Sequence, residues 1–309
     1  MKIFKPKFWN KKNSLIGFIL FPVSLFLQFL SVLKNKITRE QVFQIPVICV
    51  GNIYLGGTGK TPLALEIVEV LKRVNKKAAI IKKSYKDHED EFNLIQSRKA
   101  TLYKNLSRSL AIKEAIKNKL DCVVLDDGFQ DRTIHKNLNI LCFNEAQWIG
   151  NGMTIPSGPL RENFSSLKRC QIVMINGNTD YKFEKKIKKI SNSINIYYSK
   201  YVPINIEKFK KKKLLAFAGI GNPNNFFTLL KKNKLIVEKK ISFPDHYNYS
   251  LKELNRLITF AVKNNLNLIT TEKDFFRIKH FKLSQIQCLN VKLEILNKKS
   301  FENEIIKYL

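Results

Sequence analysis

An α/β fold is predicted by three features of this sequence. Short apolar runs alternate with amphipathic stretches, a glycine-rich loop sits between one such run and a helical segment, and a charge-free run spans residues 14–33 ahead of both. Alternation of this kind gives parallel strands joined by crossover helices, hence a parallel sheet with helices on both faces, here of the P-loop NTPase type. We expect three parts: an N-terminal hydrophobic, membrane-associating helix with basic flanks in residues 1–40, a phosphate-loop domain in 41–205, and a smaller C-terminal α/β domain in 206–309.

Residues 14–33 are long enough to span a bilayer. Lys2, Lys5, Lys7, Lys11 and Lys12 precede them, and Lys34, Lys36 and Arg39 follow, so the flanking charge is nearly symmetric. Pro22 and Gln28 interrupt a simple span. An in-plane or partly inserted anchor, its lysines meeting anionic headgroups, suits this pattern, and a buried core helix is the alternative. The phosphate-loop domain should then run as strand 46–50, glycine-rich loop, helix 60–74, strand 78–82, a helix near 107–119, and strands 121–126, 138–143 and 171–175. From Tyr181 to Lys213 a lysine-rich stretch breaks the alternation, and the domain boundary is placed there. Beyond it come strand 214–218, loop 219–222, helix 223–232, strand 235–242, helix 250–264, strand 267–270 and a weaker strand near 286–292.

A formal charge of +30 favours polyanionic partners. No basic run interleaved with aromatics marks a nucleic-acid surface, so lipid or a small phosphorylated substrate is the better match, and lysine use along the whole chain accounts for part of the excess. The five cysteines are scattered, without a C-x-x-C pair, and read as reduced thiols.

The chemistry is concentrated after strand 46–50. Tyr54-Leu55-Gly56-Gly57-Thr58-Gly59-Lys60-Thr61 is a phosphate cradle: its glycines let backbone N–H groups turn inward, Lys60 can reach the β- and γ-phosphates, and Thr61 can offer its hydroxyl to Mg²⁺. Tyr54 stands where the strict pattern has glycine, so the loop is a variant nearer Gly-Gly-x-Gly-Lys-Thr. Strand 121–126 ends in Asp126 and Asp127, where phosphate-loop enzymes keep the carboxylate that holds the metal. Asp87-His88-Glu89-Asp90-Glu91 is an acidic knot following the second strand, at the sheet edge where ligands bind. His246 in Phe243-Pro244-Asp245-His246, the loop Gly219-Ile220-Gly221-Asn222-Pro223 and the loop Thr270-Thr271-Glu272-Lys273-Asp274 complete the candidates.

Gly51-Asn52 with Gly56 to Pro62, Leu125-Asp126-Asp127-Gly128-Phe129-Gln130, Pro156-Ser157-Gly158-Pro159-Leu160-Arg161-Glu162, Ala216 to Pro223, Phe243 to His246 and Thr270 to Asp274 together resemble the tetraacyldisaccharide 4′-kinase family, the lipid A 4′-kinases of Gram-negative bacteria. The resemblance implies transfer of the γ-phosphoryl group of ATP, with Mg²⁺, to the 4′-hydroxyl of an acylated disaccharide 1-phosphate. It places the enzyme at the cytoplasmic face of the inner membrane, held by its N-terminal helix, with membrane lipids as partners and neither nucleic acid nor an obligate protein partner. It nominates Asp90 as proton-abstracting base, with Asp87 its near alternative, His246 as that base's partner, Lys60 on the phosphates, Thr61, Asp126 and Asp127 at the metal, and Glu162 assisting. Three features depart from the family pattern: its Ser-Arg-Gly-Tyr-Gly is Lys83-Ser84-Tyr85-Lys86 here, the stretch before the acidic knot is shortened, and its histidine after Gly-Phe-Gln is Asp131. A membrane-attached partitioning or targeting ATPase is the competing class. It usually carries lysine before the paired glycines, where this chain has Leu55, and a GTP switch would need the absent Asn-Lys-x-Asp.

Overall fold

The computed structural model describes residues 6–84 and 89–309; Asp87 and His88 lie outside the described residues. In chain order the elements are α1 (Leu15–Ile37), β1 (Val47–Gly51), α2 (Lys60–Arg73), β2 (Ala78–Lys83), α3 (Glu89–Ser97), β3 (Leu102–Asn105), α4 (Arg108–Lys117), β4 (Cys122–Asp126), β5 (Leu138–Asn144), β6 (Ile172–Asn176), α5 (Tyr181–Lys188), β7 (Asn195–Pro203), β8 (Lys213–Ala218), α6 (Pro223–Lys232), β9 (Ile236–Ser242), α7 (Leu251–Lys263), β10 (Asn267–Thr271), α8 (Glu272–Ile278), β11 (Ile286–Leu289), β12 (Val291–Ile295) and α9 (Lys298–Ile306).

Two sheets result, one of eight strands ordered β12-β7-β6-β5-β1-β4-β2-β3 and one of four ordered β11-β10-β8-β9. In the larger sheet β1 pairs in parallel with β4 on one side and β5 on the other. From β1 the chain fills β2, β3 and β4 on one flank, then returns to build β5, β6 and β7 on the other. The phosphate loop therefore leaves the sheet where the winding reverses, the crevice in which open α/β sheets bind ligands. Strands buried on both faces need unbroken apolar runs, and β1 and β4 supply them: every residue of both is buried. In the smaller sheet the faces alternate. Leu214, Ala216 and Ala218 pack toward Phe226 and Leu230 of α6, while Leu215 and Phe217 pack toward Leu254 and Ala261 of α7.

The chain forms two compact units. One holds residues 89–98 and 201–293; the other holds 6–84, 99–200 and 294–309. Thus α3, with Asp90 on it, is grouped with the unit that carries His246, and α9 is grouped with the phosphate-loop unit. Within its unit α3 packs on α8, and just beyond α3 the Arg98 guanidinium donates to Glu272 Oε1 (2.8 Å) and to the Val291 carbonyl (3.0 Å).

The expected elements form with ends moved by a residue or two, and the weak strand near 286–292 is in fact β11 and β12. Six elements have no counterpart among the expected ones. α5 and β7 lie within the lysine-rich stretch, α3 begins in the acidic knot, β3 is four residues long, and α9 follows the last apolar run. The sixth is α8, on residues read as a loop: Thr271 caps this helix, its hydroxyl accepting from the Asp274 N–H (3.2 Å).

α1 is 23 residues, long and apolar enough to cross a membrane. Its orientation on the protein is inverted relative to an ordinary amphipathic helix. Leu15, Phe26 and Phe29 are 76%, 60% and 58% exposed, whereas Ser24 is 0% exposed. The Ser24 oxygen lies 2.7 Å from Ser157 Oγ and 3.0 Å from the Thr154 carbonyl, and it accepts from the Ser157 N–H (3.1 Å). One turn on, Gln28 Nε2 donates to Thr154 Oγ1 (2.6 Å) and Gln28 Oε1 accepts from Asn163 Nδ2. Gly17 shares that face, where a Cβ would stand 3.3 Å from the Ser157 carbonyl. The small and polar stripe of α1 grips residues 151–163, and its apolar surface is left outward.

Candidate active site

The phosphate loop is shaped from below by Asn52. This fully buried side chain sets its Nδ2 2.6 Å from the Tyr54 carbonyl, 3.1 Å from that of Gly56 and 3.0 Å from Thr58 Oγ1, tying both arms of the loop together. Gly51 allows the next layer to approach, since a Cβ there would fall 2.4 Å from the Cβ of Phe129. Gln130 Nε2 donates to the Asn52 carbonyl (2.9 Å), so the Gly-Phe-Gln stretch supports the loop instead of facing ligand. Gly59, left-handed at φ 95°, caps α2 and starts it at Lys60, which aims the helix N-terminus into the loop.

Tyr54 and Leu55 are committed elsewhere. The Tyr54 side chain is in the core at 2% exposure and its backbone bridges Leu160, while the Leu55 N–H donates to the Pro159 carbonyl (2.8 Å). The Tyr54 side chain and the Leu55 N–H are thus already engaged within the protein. Gly57 faces open space, with nothing within 4 Å of a built Cβ.

Strand register brings the carboxylates to this loop, because Val50 of β1 lies opposite Asp126 of β4. Asp126 is fully buried, and its Oδ2 accepts from Thr61 Oγ1 (2.8 Å) and from Lys82 Nζ (2.5 Å). Its Oδ1 is buried with no hydrogen-bond partner, an orphaned anionic oxygen beside a threonine hydroxyl. Such an atom is costly unless something completes it, and a hard divalent cation would. Asp127, one residue on, adopts φ 62° and turns away from its neighbour. It lies 3.6 Å from Lys60 Nζ and accepts from Arg161 Nη1 at 2.9 and 3.1 Å, while its carbonyl accepts from Arg108 Nη2 (2.7 Å). Burial alone would raise its pKa, but Lys60 and Arg161 outweigh that and hold the carboxyl at about 2.

Glu162 faces Arg169, which donates to it, and Arg132 at 3.9 Å. Its carboxylate is thus spent on guanidinium groups. Among the described residues no three His, Cys, Asp or Glu side chains gather as a metal cluster, so a cation here would draw its remaining ligands from phosphate and water. Asp131, in place of the histidine, holds Arg108 (3.0 Å) and accepts from Thr133. All five cysteines are free thiols, and burial raises those of Cys49 and Cys170 to about 12, consistent with no part in the chemistry.

In the other unit three motifs converge on one glycine. The Gly219 N–H donates to Asp274 Oδ2 (3.0 Å), and its carbonyl accepts from Arg277 Nη1 (2.7 Å) and the His246 N–H (3.1 Å). Asp274 is fully buried and also accepts from Tyr249 (3.0 Å), Thr271 (2.7 Å) and Arg277 (2.8 Å). Gly219, Thr271 and Asp274 of these two stretches thus fix the backbone of the His246 loop. His246 itself is left-handed at φ 53°, its N–H 3.1 Å from Asp245 Oδ1.

Lys82 and Asn52 also belong to this site, through Asp126 and the phosphate loop respectively. Asn52 had a local signal, a polar residue ending an apolar strand beside the glycines. Lys82 had none, because its partner is 44 positions away.

A family model described as Tetraacyldisaccharide-1-P 4'-kinase matches residues 16–309. A protein of Pelagibacter ubique (strain HTCC1062) named tetraacyldisaccharide 4'-kinase is 43% identical over 99% of this chain and 98% of its own length. One of the same name from Rickettsia canadensis (strain McKiel) is 35% identical over 99% and 98%. The fold matches that of LpxK from Aquifex aeolicus, solved as an "apo" form in complex with ATP, at TM-score 0.74 and 22% identity over 95% of this chain and 99% of that one. With a phosphate loop, its carboxylates and near-complete coverage in agreement, this chain belongs to the tetraacyldisaccharide-1-P 4′-kinase family of enzymes.

Proposed function

We propose that this kinase transfers the γ-phosphoryl group of ATP to the 4′-hydroxyl of a tetraacyldisaccharide 1-phosphate, a lipid A precursor, at the cytoplasmic face of the inner membrane. Family membership supports the reaction, and α1 supports the location by being an apolar helix gripped on its polar side. The observation that carries the proposal is the group Lys60, Thr61, Asp126 and Asp127 assembled at the switch point of a parallel sheet.

Phosphoryl transfer asks little covalent chemistry of the protein, so positioning and charge stabilisation do most of the catalysis. Gly56 to Gly59 and the N-terminus of α2 cradle the phosphate oxygens through backbone N–H groups. Lys60, restrained by Asp127, stays at the loop and stabilises charge on the transferring group. Thr61 and Asp126 fit a Mg²⁺ site, with Asp126 Oδ1 as the available anionic donor, and a bound Mg²⁺ would neutralise charge on the β- and γ-phosphates. Asp127 serves by orienting Lys60 and Arg161, and Glu162 by holding Arg169; neither is needed as a metal ligand. Asp90 takes the proton of the acceptor hydroxyl, and His246, its loop pinned to Gly219, positions and shares that proton. These last two roles rest on the sequence resemblance.

Supplying the purified protein with ATP, Mg²⁺ and a tetraacyldisaccharide 1-phosphate tests the reading. ADP formation should require the acceptor and match product one to one. ATP hydrolysis indifferent to the acceptor would point instead to a targeting ATPase.

A further inference from the structure

Asp126 has a cationic neighbour that the kinase chemistry above does not use. Lys82 is the fifth residue of β2, and the register that sets Ile81 against Leu125 brings it level with Asp126. Its side chain is 6% exposed and its Nζ is 2.5 Å from Asp126 Oδ2, the same oxygen that accepts from Thr61. Oδ2 is thereby saturated and Oδ1 left bare. A fully buried carboxylate needs a counter-charge to remain ionised, and an ammonium built into the neighbouring strand provides one before any metal arrives.

We infer that Lys82 is a resident cation of the metal site: it fixes Asp126 through Oδ2, reserves Oδ1 for the divalent ion, and makes nucleotide binding less dependent on that ion. This rests on the Mg²⁺ site proposed above. Two consequences follow from Coulomb attraction at short range in a poorly solvated site. Without metal, Lys82 compensates Asp126, which would otherwise repel the phosphates, so ATP retains appreciable affinity. With metal, the ammonium opposes part of the incoming charge, so Mg²⁺ adds less affinity than it would beside an uncompensated aspartate. Lys82 is thus a positioning residue, acting on phosphate and metal through Asp126.

The test uses the full-length protein in detergent and a fluorescent ATP analogue, titrated once with EDTA and once with excess Mg²⁺. The readout is the ratio of the two dissociation constants. Lys82→Gln keeps a hydrogen-bond donor for Oδ2 and removes the charge; Lys82→Met removes both; Lys82→Arg keeps both. The ratio should rise about tenfold or more in Lys82→Gln and Lys82→Met, mainly through weaker binding in EDTA, and stay within about twofold of the parent in Lys82→Arg, tenfold corresponding to ~1.4 kcal/mol. The gain in unfolding midpoint when Mg²⁺ replaces EDTA in the presence of the analogue should also be larger in Lys82→Gln than in the parent. An unchanged ratio in folded Lys82→Gln would overturn the inference, as would a Lys82→Gln protein that fails to fold even with Mg²⁺ and nucleotide, which would make Lys82 a structural strut. A ratio near one in the parent and in Lys82→Gln alike would instead refute the metal site itself.

Discussion

Replacing Ser24 by alanine removes a single oxygen from α1, and the structure sets its cost. That oxygen accepts from the buried Ser157 N–H and lies within hydrogen-bond reach of Ser157 Oγ and the Thr154 carbonyl. At least two buried polar groups lose a partner, and Ser157 is itself fully buried, so water cannot replace the loss. At ~1–2 kcal/mol for each group left unsatisfied, Ser24→Ala should cost about 2–4 kcal/mol. In thermal unfolding in detergent, where a domain of this size shifts roughly 2–4 °C per kcal/mol, the midpoint should fall by about 5–10 °C. Phe26→Ala, on the outward face, is the control and should cost less than about 0.5 kcal/mol in the same detergent. The effect should also reach the nucleotide. Ser157 leads directly to Pro159, Leu160 and Arg161, which hold Leu55, Tyr54 and Asp127, so ATP affinity should weaken severalfold. Equal behaviour of Ser24→Ala and Phe26→Ala would refute the inverted docking of α1.

Lys60→Ala should lower kcat by roughly a hundredfold or more, about 3 kcal/mol of transition-state stabilisation, with the protein still folded; near-normal turnover would remove the phosphate-loop assignment. Asp127 has a folded pKa of about 2 against an ordinary 3.8, so its ionised form stabilises the fold above about pH 4 and that contribution fades as pH falls through 2. Asp127→Asn should therefore cost about 2 kcal/mol at neutral pH, at ~1.4 kcal/mol per pKa unit, and the gap to the parent should close toward pH 2; a gap constant with pH would contradict the pairing with Lys60 and Arg161. If Asp90 and His246 handle one proton, the double alanine variant should lose little more activity than the worse single variant, whereas multiplied losses, or a larger loss in Asp87→Ala, would separate them.

Local signals carried most of the fold. The phosphate loop was legible because strand, glycines, Lys60 and the helix are contiguous, and β4 because its apolar run ends abruptly in two acids. What the sequence hid depends on partners distant along the chain. Gln28 read as a blemish in an apolar segment, yet with Gly17 and Ser24 it lies on the one face that docks the helix, a helical spacing visible only once residues 151–163 are known to be its partner. The end of β4 points to Asp127 as a metal ligand and the family resemblance alone to Glu162; the structure sets Asp127 beside Lys60 and Arg161 and Glu162 beside Arg169. In the candidate loop at 270–274 the structure makes Asp274 a buried hydrogen-bond hub and Thr271 a helix cap, roles that use the same residue types as a binding turn.

The most direct measurement is the position of the transferred phosphate. With γ-³²P-labelled ATP and a tetraacyldisaccharide 1-phosphate in mixed micelles, label should appear in one lipid product, esterified at the 4′-oxygen, in equal amount to ADP and absent from Lys60→Ala. Label released only as inorganic phosphate, or a lipid product labelled at another hydroxyl, would contradict the proposed reaction.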